Sequence, residues 1–362
     1  MNHLHSAPGN ARNHGHPHAP ATISDVHLTV RNAGGSVQHY YHFLLGFLVP
    51  LVRAWNAIVT TADVGDVFVR SCAVMDPLLR QLRLPGLVIV AAADHAAMQQ
   101  HCAHAPMSGE LVFATIDGYD FPARYDVHVF AAVREQLFLR FSEEIRQERQ
   151  ELDRCFTGAG PRIVLVRRLP ADAFYVTPDC EIKTAGAERR SIANIDELCA
   201  ALRRNCDNLL LTALEGSSLY YQMALFSAAD IIICQHGAAL ANLVWARPRT
   251  HVIEIIPRTL TELIGEADFF GDLARCLSLT HERLWQDQPH GPVGLAELSG
   301  MLRRIQANGS RAASPLLALA GVPKTPKLPL SWRVRSLRWR LWRRARLLLG
   351  DSAGRRHREA AR

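Results

Sequence analysis

The chain has little of what would place it in several common classes of protein. Its eight cysteines, among 362 residues, include no close pair of the kind that binds zinc or forms a redox centre. It shows no positively charged start followed by an apolar segment, and the longest apolar stretch, residues 40–57, is interrupted by Pro50 and Arg53. These absences predict a cytoplasmic protein without a zinc site, a secretion signal or a membrane-spanning helix.

What the chain does contain is a globular composition with an uneven charge. Hydrophobic residues make up 48% and charged residues 21%, and 362 residues suffice for two domains with separate cores. The formal net charge is +7, but the segment 331–362 alone carries +9, from eleven Arg against Asp351 and Glu359. The rest of the chain therefore carries 7 − 9 = −2.

The basic segment 331–362 has apolar residues at helical spacing between its arginines, and it carries three tryptophans. A basic amphipathic helix with Trp is typical of attachment to an anionic membrane surface, here the inner face, and we expect this contact ahead of a solvated helix. A nucleic-acid partner is not expected. A Pro-rich linker, residues 311–330, precedes this tail, and a His-rich leader, residues 1–22, is expected to be disordered.

The most informative stretch of the sequence is residues 229–257. A β-branched run, Ile231 to Cys234, is typical of a buried parallel strand, and it leads into a His236-Gly237 turn. Small and apolar residues then predict a short helix up to Ala246, followed by a second buried strand at residues 252–256. A helix at the carboxyl end of a parallel strand directs its N–H groups into the ligand crevice of an α/β sheet, which predicts a phosphate site.

These residues resemble the signature of glycosyltransferase family 61, an HGAGLAN-type turn followed by a Pro turn and a strand with a Glu. Here the turn reads HGAALAN from His236 to Asn242, with Ala239 where Gly is more usual. Because Ala is also small, we expect the tight packing of the helix to survive. Two further segments agree with the family in order and spacing, the Tyr-Tyr-His helix start at residues 40–45 and the arginine strand end with its following helix, residues 167–198.

Strands alternate with helices in both halves, which predicts parallel sheets wound by right-handed crossovers. A Gly/Pro cluster at residues 158–161 marks the boundary between them. We expect an N-terminal acceptor-side Rossmann-like domain at residues 23–155 and a C-terminal nucleotide-sugar-binding Rossmann-like domain at 158–310. With the family resemblance, this implies an α/β, GT-B-like architecture of two Rossmann-like domains facing a cleft, with a C-terminal basic amphipathic helix.

The candidate phosphate-binding residues follow two predicted strands. Arg167 and Arg168 end the strand of residues 162–167, and a guanidinium offers donors that match a diphosphate. We expect one of the two to be functional and the other to form a surface ion pair. Gly237 and Ala238 start the signature helix, and His236 at the same place is expected to donate to the phosphate or the sugar.

The remaining candidates are a carboxylate, an amide and the acceptor base. Glu254 interrupts an apolar strand, and we expect it to accept hydrogen bonds from ribose hydroxyls. Gln222 matches a family Gln on the preceding helix, although a helix Gln is commonly a surface residue. His42 is expected to take the proton of the acceptor hydroxyl, and the sequence does not separate it from His39 or Asp25 in this role.

The resemblance implies an inverting glycosyltransferase, independent of metal and cofactor. The implied donor is a nucleotide diphosphate sugar, a UDP-sugar carrying xylose, arabinose or N-acetylglucosamine, and the acceptor is a glycan or lipid-linked glycan. We expect a role in bacterial capsule or lipopolysaccharide synthesis. Two alternatives remain, a non-catalytic nucleotide-sugar-binding or scaffold protein of the same fold, and a nucleic-acid-associated protein that uses the basic tail.

Overall fold

The computed structural model describes residues 24–61, 64–103, 111–171, 185–260 and 268–309. The His-rich leader, the Pro-rich linker and the basic tail lie outside these ranges, and so does the expected C-terminal helix. Within the described ranges the fold is mixed α/β with two parallel sheets, one in each half of the chain.

The first sheet has the order β3-β2-β1-β4 and is parallel throughout. Its strands are β1 (Ser24–Arg31), β2 (Val64–Arg70), β3 (Leu87–Val90) and β4 (Leu111–Asp117). Short apolar runs in the sequence predict strands at residues 26–30, 67–71 and 87–91, which correspond to the first three. The sequence missed β4, which pairs with β1 over seven consecutive residues, because the Val-Phe-Ala-Thr-Ile segment is short and follows a Pro/Gly-containing stretch.

The second sheet has the order β6-β5-β7-β8-β9 and is also parallel. Its strands are β5 (Ile163–Val166), β6 (Leu209–Thr212), β7 (Ile231–Gln235), β8 (His251–Pro257) and β9 (Thr280–Gln286). The missed strand here is β9. It lies at the edge of the sheet and only two of its seven residues are buried, so its sequence, THERLWQ, lacks the apolar run that identifies a central strand.

Most helices lie where the apolar spacing of the sequence predicts them, with one clear difference. That spacing predicts a single helix at residues 130–152, whereas the structure has two, Val127–Arg140 and Ser142–Cys155, which meet at Phe141, whose backbone is not helical. The other described α-helices are Tyr40–Phe43, Val49–Thr61, Asp76–Gln81, Ala92–Ala103, Gly186–Arg189, Ile195–Arg203, Leu219–Ala228, Phe269–Cys276 and Leu295–Gly309.

The sequence predicts caps for two helices in the second half, Asn194 with Glu197 for one and Ser217 or Ser218 for the other. The Ser218 hydroxyl accepts a hydrogen bond from the Tyr221 N–H at 2.9 Å, so the cap expected there is confirmed. Asn194 makes no capping hydrogen bond to its helix. Its amide instead donates to the Val293 carbonyl at 3.0 Å and accepts from the Val293 N–H at 2.9 Å, which ties two loops together.

The expectation that Pro50 interrupts the apolar segment was wrong. Residues Tyr40–Thr60 run as one helical stretch, with a π turn at Leu44–Leu48, and Pro50 lies in the first turn after it, where a missing N–H is tolerated. By length and composition this is one described helix that could cross a membrane. However, 72% of its most apolar window is buried inside the protein, as in the central helix of a folded core.

The two halves share a hydrophobic core, where separate cores were expected. One cluster of buried side chains includes Leu28 and Leu44 from the first half with Phe226 and Trp245 from the second. A further cluster covers the opposite face of the second sheet. Because burial of apolar area stabilises the contact by about 25 cal/mol per Å², this shared core fixes how the strand ends of the two sheets lie relative to each other.

Candidate active site

A cavity of about 650 Å³ lies between the strand ends of the second sheet and the helix start of the first half. Open α/β sheets bind ligands at the carboxyl ends of their strands, and this cavity is in that place. Most of the candidates from the sequence line it, namely His42, Arg167, Arg168, Gln222, His236, Gly237 and Ala238. Glu254 and Asp25 do not line it.

The signature turn is tighter than the sequence predicted. Ala238–Trp245 forms a 3-10 helix and not an α-helix, and the Leu240 N–H donates to the Gly237 carbonyl at 3.0 Å. Small side chains allow this tight turn to pack closely between the sheet and its neighbouring helices. Ala238 and Ala239, the first residues of the helix, line the cavity, so its N-terminal end meets the space where a ligand would lie.

Gly237 is required by close approach. Its φ of 157° lies in a region that side chains disfavour, and a Cβ at this position would overlap Nη2 of Arg168. The glycine therefore lets the Arg168 guanidinium lie directly on the turn.

Three arginines line the cavity close together, and two of them bond the carbonyl of His236. Nη2 of Arg168 donates to it at 3.0 Å and Nη1 of Arg190 at 2.6 Å, while Arg189 reaches Nε2 of His39 at 3.0 Å. Among the described residues, none of the three forms a carboxylate ion pair within 4.0 Å. Burial, and then the charges of Arg168 and Arg189, lower the pKa of Arg190 to about 10. Positive charge held together in this way favours an anion in the cavity.

Arg189 and Arg190 were not among the predicted site residues. They precede the Asn-x-x-Glu helix start that the sequence did single out, and that adjacency was the available signal. Of the predicted pair, Arg167 forms an ion pair with Asp196 at 3.2 Å. Arg168 is therefore the one whose guanidinium belongs to the cluster.

His236 is held from behind by a buried carboxylate. Nδ1 of His236 lies 2.6 Å from Oε1 of Glu254, and Nε2 of His281 lies 2.8 Å from Oε2. Glu254 is only 1% exposed. Burial alone would raise its pKa, but the hydrogen bonds from the two histidines outweigh this effect and lower it to about 2.

This arrangement corrects the role expected for Glu254. Both of its oxygens are engaged by imidazole rings, and the side chain does not reach the cavity wall, so ribose hydroxyls have no access to it. Its geometry is that of a group that orients His236. His281 belongs to β9, the strand that the sequence missed, and so it was missed as well.

His42 is also paired with a buried carboxylate, on the opposite side of the cavity. Its Nδ1 lies 2.6 Å from Oδ2 of Asp120, which is 1% exposed and also accepts from the Ala33 N–H at 2.8 Å. A Cβ on Gly35 would overlap Nε2 and both ring carbons beside it in His42, so the lack of a side chain at this glycine makes room for the imidazole. Asp120 comes three residues after the missed strand β4, which is why the sequence did not indicate it.

His39 and Asp25, the two alternatives for the acceptor base, are less well placed than His42. His39 lines the cavity, but its Nε2 faces Arg189, and a guanidinium can only donate, so the lone pair of this nitrogen is occupied. Burial, followed by the charge of Arg189, lowers the pKa of His39 to about 4. Asp25 lies at the amino end of β1, where its carboxylate accepts from the Asp66 N–H at 3.0 Å. It is at the wrong end of the strand to reach the cavity.

Gln222 is buried, contrary to what is usual for a helix Gln. Its Oε1 accepts from the Asn242 amide at 2.8 Å. Oδ1 of Asn242 in turn accepts from the Tyr40 hydroxyl at 2.8 Å and from the Trp245 indole at 3.1 Å. The last residue of the signature turn thus connects the two halves of the chain beneath the cavity floor.

Parallel α/β sheets with a cationic, histidine-containing cavity at their strand ends are consistent with a Rossmann-like glycosyltransferase. The family profile described as Glycosyltransferase 61 matches residues 40–253, more than half of the chain. The chain therefore belongs to glycosyltransferase family 61, as the sequence motifs predicted, and this family implies a sugar donor and a glycan acceptor.

A relative in rice (Oryza sativa subsp. japonica) carries the name beta-1,2-xylosyltransferase. It is 25% identical to this chain over 144 residues, which is 40% of the chain and 22% of the rice protein. The chain therefore matches less than a quarter of that relative's length.

Proposed function

We propose that the protein is an inverting glycosyltransferase that moves a sugar from UDP to a glycan or lipid-linked acceptor. One observation carries the proposal: Arg168, Arg189 and Arg190 line a cavity where α/β folds bind ligands, and two of them, Arg168 and Arg190, donate to the same carbonyl, that of His236. A nucleoside diphosphate carries the charge and the oxygens that would satisfy these guanidinium groups.

The same groups would stabilise the leaving group. When the bond between the sugar C1 and the diphosphate breaks, negative charge increases on the diphosphate oxygens, and positioned donors lower the energy of that state. His236 and the N-terminal end of the Ala238–Trp245 helix would add donors from the turn. Because guanidinium groups supply this positive charge, we propose transfer without a metal ion.

On the acceptor side we propose His42 as the base. Asp120 accepts the Nδ1–H of the ring, which leaves Nε2 with its lone pair free to take the proton of the acceptor hydroxyl. The acceptor oxygen then forms its bond to C1 from the face opposite the departing UDP, which inverts the anomeric configuration. The occupied lone pair of His39 supports His42 over its neighbour.

The proposal extends to the architecture and the sugar. We assign the acceptor side to residues 23–155 and the donor side to 158–310, in a GT-B-like arrangement around the cavity. The name of the rice relative favours xylose among the three sugars considered, which were xylose, arabinose and N-acetylglucosamine.

We further propose that the protein works on a bacterial surface polysaccharide at the inner face of the membrane. Support comes from the charge and tryptophans of residues 331–362, outside the described ranges. The full chain should sediment with vesicles containing phosphatidylglycerol and release at high salt. Equal sedimentation with neutral phosphatidylcholine vesicles would contradict an electrostatic attachment.

Calorimetric titration with UDP tests the donor assignment. The full-length protein should bind UDP both in EDTA and in Mg²⁺, and Arg190→Ala should weaken binding at least about tenfold, since it removes a charge-assisted contact. Arg258→Ala is the matched control, because Arg258 is exposed and paired with Asp287. A panel of UDP-xylose, UDP-arabinose and UDP-N-acetylglucosamine would then identify the sugar.

Two outcomes would contradict the proposal. If no uridine nucleotide binds, the UDP assignment is wrong. If Arg190→Ala and Arg258→Ala weaken UDP binding equally, the arginine cluster is not the UDP site. Tight binding of UDP-sugars without transfer to any acceptor would favour the non-catalytic alternative. The His42–Asp120 pair, which a mere binding protein does not need, argues against that alternative.

A further inference from the structure

An exposed aromatic ring stands next to the buried carboxylate that holds His42. Phe121 follows Asp120 directly in the chain, and the two residues differ sharply, with Asp120 1% exposed and Phe121 44% exposed. A single exposed apolar side chain is common on protein surfaces, but one that joins a contiguous apolar surface beside a ligand cavity marks a binding surface. Neither the family motifs nor the proposed mechanism uses it.

Phe121 continues an aromatic wall that begins inside the cavity. Tyr41, beside His42, lines the cavity together with Phe269, and their ring centroids lie 6.1 Å apart. Phe269 in turn lies 6.1 Å from Phe121, with the rings at 79°. The apolar surface therefore runs from the proposed base, along Tyr41 and Phe269, out to Phe121 at the surface.

The wall is held in place by contacts behind it. The Tyr125 hydroxyl donates to the Phe269 carbonyl at 3.1 Å and lies 2.7 Å from the Tyr41 hydroxyl. Phe270, the next residue along, packs its ring 5.8 Å from Tyr41 and 5.2 Å from His236. Rings fixed before a ligand arrives lose little entropy on binding, which favours a recognition surface.

We propose that Phe121 and Phe269 form a subsite for a pyranose ring of the acceptor. This inference rests on the proposed function, because the acceptor hydroxyl must reach Nε2 of His42 while the rest of the acceptor leaves the cavity. A pyranose ring presents a face of C–H bonds, and the negative face of an aromatic ring attracts them. The aromatic wall extends from His42 to the surface, so its rings can contact the part of the acceptor that lies outside the cavity.

A second hollow supports an acceptor with more than one sugar. It measures about 450 Å³ and is lined by Pro122 and Ala123, the residues after Phe121, together with Tyr125, Asp272, Arg275 and Cys276. Apolar surface beside a few charged groups is the usual lining of a site for a polar ligand with apolar faces, as a sugar is. The hollow begins at Pro122, directly after Phe121 in the chain, so a glycan held by Phe121 has a place to continue.

Saturation-transfer NMR with neutral sugars tests the subsite. The probes are the methyl β-pyranosides of xylose, glucose, galactose and N-acetylglucosamine, each added to the full-length protein with UDP. At least one should bind, and Phe121→Ala should weaken that binding roughly five- to tenfold, since the stacking face is lost. Phe121→Tyr should keep the affinity, because it keeps the ring. Phe121 is exposed, so these variants should fold.

Leu139→Ala is the matched control, because Leu139 is 78% exposed and does not line the cavity. It should change neither sugar nor UDP binding. The subsite is overturned if none of the four pyranosides binds, or if Phe121→Ala binds them with the affinity of the parent. It is also overturned if Phe121→Ala weakens UDP binding as much as it weakens sugar binding. If the parent protein binds no UDP but its sugar binding depends on Phe121, the donor assignment is overturned and the sugar subsite is retained.

Discussion

The imidazole of His236 is fixed by Glu254, whose carboxylate lies 2.6 Å from Nδ1 and is itself held by His281 at 2.8 Å. One buried carboxylate thus serves two histidines, and only one of them faces the cavity. Because the Nδ1 side of His236 is occupied, the ring presents Nε2 to a ligand. The pair explains why a charged residue is tolerated in the apolar strand β8.

Glu254→Gln should lower kcat/KM roughly 10- to 100-fold. An amide has one acceptor oxygen, so it can satisfy His236 or His281 but not both, and a hydrogen bond to a buried charge is lost. Steady-state kinetics with the UDP-sugar would measure this. His281→Gln should have a smaller effect, since the His236 contact remains. Unchanged kinetics in Glu254→Gln would show that the carboxylate does not orient His236 for function.

His42→Ala should reduce transfer about 10²- to 10⁴-fold while leaving UDP affinity nearly unchanged. In the proposed mechanism the ring removes a proton and does not bind the phosphates, so its loss should affect transfer and not UDP binding. Asp120→Asn should reduce transfer as well, because an amide no longer selects the Nδ1–H tautomer. Turnover and calorimetry on the same preparations separate the two effects. Loss of UDP binding would move His42 to the donor site.

Gly237→Ala should weaken UDP binding about tenfold or more. The new Cβ would overlap Nη2 of Arg168 and force this guanidinium away from the His236 carbonyl. Gly300→Ala is the control. A Cβ at Gly300 meets nothing within 4 Å, and alanine in that helix should raise stability by about 0.5–1 kcal/mol. Equal UDP affinity in Gly237→Ala and the parent would contradict the placement of Arg168 at the phosphate.

The protein should lose stability in acid through a buried histidine pair. His27 and His95 stack with centroids 4.1 Å apart, and burial, followed by the charge of His95, lowers the pKa of His27 to about 3. Burial also lowers the pKa of His95. Both therefore stay neutral in the folded state at pH values where the unfolded chain binds protons.

The sign of this effect follows from the lowered pKa. The contribution is complete above pH ~6.5 and falls as the pH drops toward ~3, by up to about 1.4 kcal/mol per pH unit for His27 alone. Urea unfolding between pH 4 and 7 would show the slope. His27→Phe should flatten it, whereas His128→Gln, at an exposed position, should not. A slope that is the same in the parent and His27→Phe would contradict the assignment.

Tyr40→Phe should cost about 1 kcal/mol of unfolding free energy, because it removes the hydrogen bond to Asn242 between the two halves. Tyr221→Phe is a chemically matched control, since its hydroxyl lies 2.7 Å from Thr212 within one half. It should cost a similar amount. Only Tyr40→Phe should also weaken UDP binding, because Tyr40 and its partner Asn242 support the signature turn. Equal UDP affinity in both variants would show that this link is structural alone.

Several features could be predicted from the sequence because their causes are local. Continuous β-branched runs identified the buried central strands, such as β5 and β7, and the order of the HGAALAN turn identified the family. The sequence also predicted that Arg168, His236 and His42 lie at one cleft, because strand ends and helix starts meet at one edge of a parallel sheet. All three line the cavity.

Other features could not be predicted in this way. The strands β4 and β9 lack a clear pattern, β9 because it is an edge strand with only two buried residues. Asp120, which follows β4, and His281, which lies in β9, were therefore missed as well. Asp120 lies 78 residues from His42, and His281 lies 27 residues from Glu254. No spacing rule joins residues that far apart. The shared core was also missed, because composition tells how much apolar surface a chain has and not which half it packs against.

The sequence by itself determined the strand runs, the family and the residues that carry charge, because these depend on side-chain type and near neighbours along the chain. Only the tertiary structure decided which histidine is paired with which carboxylate, that Glu254 lies behind His236 and not in the cavity, and that Arg168 and Arg190 share one carbonyl. Those arrangements depend on burial and on contacts between distant segments, which are fixed only when both sheets pack on their common core.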